Sequence, residues 1–278
     1  MAFKGATSLS KVYGAIRRFS EDVDVTVDYK SLDKSIDPFD VNTSRTARDK
    51  YTEILRTKLA EHTKDLIRPH FKNLVTQLYE KPPKPISVSD DGEKLFIPYP
   101  SRFGSDESVF LEFGGRNVIA PGQEHILKPY IAAEIPTLQF PQATVHVLSP
   151  SRTFWEKATL IHVACNRSDP KLDADRQSRH WHDLAVLADH KIGKAAVADR
   201  KLLEDVVKHK SVFFRASYAK CEASLSGSLR LIPSTRLLHA LRADYEKMIA
   251  NGMFEGEPPN FESIVSRLQV LEKQINAA

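Results

Sequence analysis

Between Phe19 and Val27 the chain alternates with a period of two. Val23, Val25 and Val27 fall on one side, Asp22, Asp24 and Thr26 on the other. That period predicts a β-strand with one apolar and one acidic face, and it excludes an all-helical protein. On a strand, Asp22 and Asp24 project the same way, roughly 6.6 Å apart at the backbone. Two carboxylates brought to about 4 Å repel by on the order of 4 kcal/mol at an effective dielectric near 20. Such a sum is a large share of a domain's net stability. Convergence therefore calls for a cation, Mg²⁺ above all, or a shared proton; otherwise this is an edge strand whose polar face is wet. The stretch alone leaves both open.

Other segments supply a sheet for that strand to join. Residues 86–99, with Asp91-Gly92 at the centre, read as a hairpin. Residues 108–115 read as a strand ended by Gly114-Gly115, and residues 143–149 alternate as a further strand. Between them Thr43 or Ser44 caps a long helix carrying Tyr51, Ile54, Leu55 and Leu59. This helix should end or kink before Pro69, with a second piece running to about Tyr79 and a rigid break at residues 81–85. From Ser151 onward helical periodicity dominates, broken at Pro170, Gly193, 226–234 and 252–259. The expected architecture is α+β: an N-terminal mixed sheet with flanking helices over 1–150, then a helical domain over 151–278.

Composition narrows the class. The chain has 278 residues, enough for a sizeable core, and no run approaches the roughly 20 apolar residues of a membrane span. Two cysteines, Cys165 and Cys221, form no disulfide framework and suggest a reducing compartment. A cytoplasmic protein with no membrane partner is expected. Net charge is only +4, yet residues 43–84 hold ten Lys/Arg against five Asp/Glu, and residues 191–220 eight against three. These are either solvated helix faces or a surface for a polyanion.

Three further features bear on chemistry. Glu112 lies between Leu111 and Phe113, an awkward place for an unpaired carboxylate. It is either a third metal-directed acid, able also to take a proton from an attacking hydroxyl, or one half of an ion pair with Arg116. Upstream, Gly5-Ala6-Thr7-Ser8 can bring backbone N–H groups and hydroxyls to a phosphate. Downstream, Lys157 lies on a helix with Trp155, Leu160 and Ile161, and Arg179 and Asp183 are spaced for an intrahelical ion pair. His180, His182 and one acid make poor zinc spacing.

Residues 3–25, from Phe3-Lys4-Gly5 to Asp22-Val23-Asp24-Val25, resemble the opening motif of the AbiEii/AbiGii toxin family of nucleotidyltransferases, within the polymerase-β-like nucleotidyltransferase superfamily. Leu111-Glu112-Phe113 resembles that superfamily's third-acid motif. Residues 152–162 and 178–187 resemble the helices that carry its Glu-Lys pair and its Asp-Leu pair. The likeness extends through 229–233, 244–248 and Met253-Phe254. Ala6 stands where relatives have a second glycine. Relatives carry helices before this motif, whereas Met1 lies four residues before Gly5, so the resemblance implies an N-terminally shortened chain.

The resemblance implies a nucleotidyltransferase-like fold and the toxin of a toxin–antitoxin pair, with roots in abortive infection. Asp22 and Asp24, completed by Glu112, would hold Mg²⁺ or Mn²⁺. Gly5, Thr7, Ser8 and Lys157 would hold the phosphates of an NTP, and Asp183 would complete the site. Some relatives transfer nucleotides to the tRNA 3′ end, so tRNA and a cognate antitoxin are the expected partners. The basic helix over 43–68 is the candidate for phosphate contacts. Two other readings stay open: a non-catalytic module binding RNA or an antitoxin, or transfer to a protein hydroxyl or a small molecule such as an aminoglycoside.

Overall fold

The computed structural model describes residues 1–20, 22–78, 84–100, 107–167 and 175–277. Expectations placed on Tyr79, on 81–83 and on Pro170 lie outside them. Contacts group the chain into a sheet unit, Met1–Ser8 with Ser20–Leu148, and a helical unit, Leu9–Phe19 with Ser149–Ala278.

The sheet unit holds seven strands: β1 (Ala2–Phe3), β2 (Asp22–Asp28), β3 (Ser87–Val88), β4 (Lys94–Tyr99), β5 (Glu107–Asn117), β6 (Gly122–Leu127) and β7 (Ala143–Leu148), in the order β3-β4-β5-β2-β1-β7-β6. The alternating segment is thus β2. It is no edge strand: β5 runs parallel to it on one side and β1 antiparallel on the other. A wet edge for Asp22 and Asp24 is therefore ruled out. Although β1 has only two residues, it is anchored on both sides, because Phe3 also pairs with Val147 of β7. Helix α1 (Gly5–Lys11) follows β1 directly.

The other face of the sheet is covered by helices. After the short α2 (Tyr29–Leu32), Ser44 caps α3 (Arg45–Glu61), its hydroxyl accepting from Ala47 N at 3.2 Å. A π-helical turn, His62–Ile67, then leads into α4 (Arg68–Leu78). Proline at 69 brings no N–H and crowds the carbonyl one turn back, and the wider turn before it absorbs both problems. Tyr51, Leu55, Leu59, Thr63, Ile67 and Val75 are buried, and Phe71 at the remaining fourth place packs on the same core. A repeat of four drifts by about 40° per step round an α-helix. The π turn winds that drift back, so the stripe keeps to the sheet. It meets Val27, Leu95 and Phe113, with Val25 and Leu111 beside them.

The β3–β4 hairpin turns as expected, and Gly92 is needed there twice over. Its φ is +72°, and a Cβ would overlap the backbone of Ala60 in α3. One expectation fails, and one strand is unforeseen. Gly114 and Gly115 do not end their strand, since β5 runs on to Asn117. A Cβ on Gly115 would crowd Leu59 and Leu32, so this glycine admits α3 close to the sheet, whereas one on Gly114 would meet the Asn117 side chain. The strand β6, six residues with no buried position, carries no alternation by which to foresee it. The short α5 (Ile131–Glu134) links β6 to β7.

The helical unit is built on α6 (Pro150–Asn166), α7 (Ser178–Asp189), α8 (Lys191–Ala198), α9 (Arg200–Phe213), α10 (Thr235–Ala250) and α11 (Phe261–Ala277). Phe154, Trp155, Ala158 and Ile161 of α6 are wholly buried against α7, α8 and α9. The buried indoles are satisfied: Trp155 donates to the Ala196 carbonyl and Trp181 to that of Leu231, both at 3.0 Å. Ile264, Leu268, Leu271 and Ile275 pack α11 inward, on α7. Gly193 is no break. It lies within α8, where a side chain would meet the Leu187 carbonyl, and the chain turns at His190 instead.

Candidate active site

Strand register gathers the acids. Asp24 of β2 stands opposite Glu112 of β5, which stands opposite Lys94 of β4. One step along, Asp22, Phe110 and Phe96 form a second row. Paired residues share a face, and so do residues two apart. The six side chains therefore rise from the face opposite α3 and α4.

The turn after β1 is fastened to the same strand. Lys4 N donates to the Asp24 carbonyl at 3.0 Å, and Thr7 Oγ1 to the Asp22 carbonyl at 2.5 Å. Gly5 has φ +74°, and a Cβ there would collide with Oδ2 of Asp24. Only glycine leaves room for that carboxylate to rest on the turn. The Ser8 hydroxyl is wholly buried and donates to the Gly5 carbonyl at 2.9 Å, which tightens the turn from inside. Asp22 accepts from Ser20 Oγ at 2.9 Å and is 9% exposed.

Glu112 pairs with Lys94 at 3.4 Å, each side chain 41% exposed. A pair so exposed contributes about 0–1 kcal/mol and exchanges readily. The expected partner, Arg116, instead feels the charges of Arg56, Glu93 and Glu53, and burial lowers its pKa. Among the described residues no three His, Cys, Asp or Glu side chains stand ready around one ion. Mg²⁺, though, is held by one or two carboxylates together with substrate phosphates, and Asp22 and Asp24 offer that hard-oxygen pair.

Within the helical unit the chemistry is of another kind. Asp183 is wholly buried. Arg18 grips it with two bonds, Nε to Oδ1 and Nη2 to Oδ2, both 2.7 Å. Lys157 Nζ lies 2.9 Å from Oδ2, and His182 Nδ1 3.2 Å from Oδ1. Burial pushes the Asp183 carboxyl up, but the Arg18 and Lys157 charges prevail and hold it well below the usual carboxylate range. His180 is driven the same way from the other side. Burial, then the charges of Lys157 and Arg179, keep it well below 6.5 and so neutral.

Two readings of these helices change. Lys157 is 7% exposed, so it is not on a solvated face, while Leu160 nearby is 40% exposed. Arg18, not Arg179, forms the bidentate pair with Asp183. Arg18 itself is set by a strand-like bridge to Phe254, with Phe19 N donating to the Met253 carbonyl and Glu255 N to that of Arg17. This explains why the Met253-Phe254 segment belongs to the motif set. Asp244, in the 244–248 motif, caps α7 by accepting from Ser178 N and Oγ at 2.8 and 2.5 Å.

Asp22, Asp24, Glu112, Gly5 and Thr7 thus meet in the sheet unit, and Lys157 and Asp183 in the helical unit. Sequence reasoning missed Arg18 and Lys94. Arg18 lies 165 residues from its partner and carries no periodic signal. Lys94 becomes visible only once the hairpin register is known.

The sheet unit thus sets an acid-bearing strand beside a glycine turn, with a third acid in register. The family model for the nucleotidyl transferase AbiEii toxin of type IV toxin–antitoxin systems matches residues 1–267, and the protein is a nucleotidyltransferase. The chain belongs to this AbiEii toxin family. No curated protein sequence matches it. Among solved structures it is similar to MenT4, a nucleotidyltransferase toxin from Mycobacterium tuberculosis H37Rv. There the identity is 13%, the coverage 99% of this chain and 83% of that one, and the TM-score 0.43. Membership of a toxin family implies an NTP substrate and an antitoxin partner. No described helix is long and apolar enough to cross a membrane.

Proposed function

We propose that this toxin transfers a nucleoside monophosphate from an NTP to the 3′ end of tRNA, with a divalent cation held by Asp22 and Asp24. The observation that carries the reading is the seat of Asp24. Its carboxylate rests on Gly5, beside Asp22 and in register with Glu112. A bound Mg²⁺ or Mn²⁺ would neutralise phosphate charge beside the two aspartates.

The chain's own residues do the rest. The Gly5 turn, tied down through Thr7, positions the phosphates. An acceptor hydroxyl attacks the α-phosphorus and gives its proton to Glu112 as the new P–O bond forms. The bond to the β-phosphate bridging oxygen breaks, and pyrophosphate leaves with its electron pair. Lys94 pairs with Glu112 until the acceptor arrives and exchanges readily. Within the helical unit, Asp183 fixes the amine of Lys157.

The basic surface of α3 and α4 lies on the sheet face opposite the acids, so it would meet parts of the acceptor away from the reacting end. Arg45, Arg56 and Lys58 of α3 are already paired with Asp49, Glu53 and Glu61. Arg68, Lys72 and Lys84 line a groove with Val75 and Ile86 at its floor. Its three cations and apolar base suit a polynucleotide backbone.

Incubation with each α-labelled NTP and total cellular RNA, with and without Mg²⁺, tests the reading. Label should enter the tRNA fraction, depend on the cation, and fall by about 100-fold or more in Asp24→Asn, the scale for losing one fixed electrostatic group. Full incorporation by Asp24→Asn refutes the assignment of the acids. Label in protein or a small molecule refutes the acceptor.

A further inference from the structure

The two rows of side chains on the acidic face differ in one respect that the transfer step leaves unused. Beyond the acids stand Phe110 and Phe96, half-buried on neighbouring strands, their ring centroids 5.9 Å apart at 42°. Lys94 Nζ lies 5.1 Å from the Phe110 centroid and also reaches Glu112. Two aromatic rings stand part-exposed on inner strands of the sheet, with an ammonium group over one of them. They are the composition of a stacking platform for bases, with a charge for the adjoining phosphate.

Strand order says which substrate the platform faces. Across the sheet run β4 with Lys94 and Phe96, β5 with Phe110 and Glu112, β2 with the aspartates, then β1 leading to Gly5. The phosphate turn is on the β1 side of the aspartates. Glu112, which takes the acceptor's proton, is on the β5 side, and the aromatic pair lies beside and beyond it. A nucleotide stacked there has its ribose next to Glu112, whereas the NTP's triphosphate belongs to the opposite side.

Resting on the reading of Glu112 as the base for the acceptor, we propose that Phe110 and Phe96 stack the terminal base of a single-stranded RNA acceptor, with Lys94 meeting its phosphate. Stacking on two rings is tolerant of base identity, so the platform holds any base at similar strength.

Equilibrium binding of a labelled single-stranded oligoribonucleotide of about eight nucleotides, a length within one such site, tests this without catalysis. Phe110→Leu keeps an apolar strand residue and should weaken binding about tenfold or more, with the KM for NTP unchanged. Phe110→Trp should retain affinity, and its fluorescence should be quenched as RNA is added. Phe96→Leu guards against a folding defect confined to one position. Undetectable RNA binding by the wild type overturns the proposal, as does equal affinity in all variants. A change in NTP KM alone also overturns it, because it moves the platform to the other substrate. Transfer lost in Asp24→Asn while Phe110→Leu binds RNA normally removes the platform and keeps the enzyme. Transfer intact in Asp24→Asn removes the catalytic reading itself.

Discussion

Asp24 and Asp183 are both carboxylates on regular elements, yet their surroundings are opposites. Asp24 rests on a glycine turn, on a strand face shared with two other acids. Asp183 sits in a dry interior with Arg18, Lys157 and His182 bonded to it. Family motifs name both as site residues and do not distinguish them. The two settings suit different uses, an open sheet face for binding and a buried ion-pair cluster for holding neighbours in place. Loss of the acid is tolerated structurally in the first and not in the second.

Substitutions should separate the two. Asp183→Ala leaves two buried cations without their anion, which costs about 3–5 kcal/mol. Thermal unfolding of the full chain should show the helical unit melting roughly 10 °C lower. An unchanged melt would mean that Arg18 and Lys157 find other partners. Gly5→Ala strains a left-handed backbone and displaces Asp24, with an expected loss of about 1–2 kcal/mol. Its signature is a transfer rate that falls further than the modest drop in stability accounts for, read by assaying well below the melt.

Acid titration gives a smaller contrast. The folded pKa of Asp183 is depressed, so its contribution is complete above the unfolded value of about 3.9 and disappears as pH falls through the lower folded value. His180 acts earlier. Its folded pKa also lies below the unfolded value of about 6.5, so stability begins to fall below that pH as the unfolded chain takes up a proton. Denaturant melts from pH 7 to pH 5 should therefore show a slope that His180→Gln reduces. Asp24→Asn should do least of all, shifting stability by about 0.5 kcal/mol or less at any of these pH values, because it is near-isosteric.

The same contrast explains what could be read in advance. Alternation placed Asp22 and Asp24 on one face, and the apolar neighbours of Glu112 marked it as unusual, because strand periodicity is local. The fold class followed from periods of two giving way to periods near four. Arg18 could not be read, since nothing within its own segment reports a partner on α7. Arg116 is the natural mate of Glu112 by proximity in sequence, but the β4 register delivers Lys94 instead. Gly114-Gly115 looked like punctuation, but the strand runs on through both and Gly115 gives clearance for a helix. In each miss, a long-range contact decided the role of a residue whose neighbours were uninformative.

The π turn ahead of Pro69 also sets the helical phase of the segments on either side of it. The stripe from Tyr51 to Val75 repeats every fourth residue, and this one wide turn keeps its two halves pointing the same way. Deleting a single residue from 62–67 would swing everything beyond it by about 100°. Phe71 and Val75 would rotate away from the core, and Arg68 and Lys72 out of their groove. The spacing of that segment is therefore a counted quantity, as binding on the protein as any residue in it.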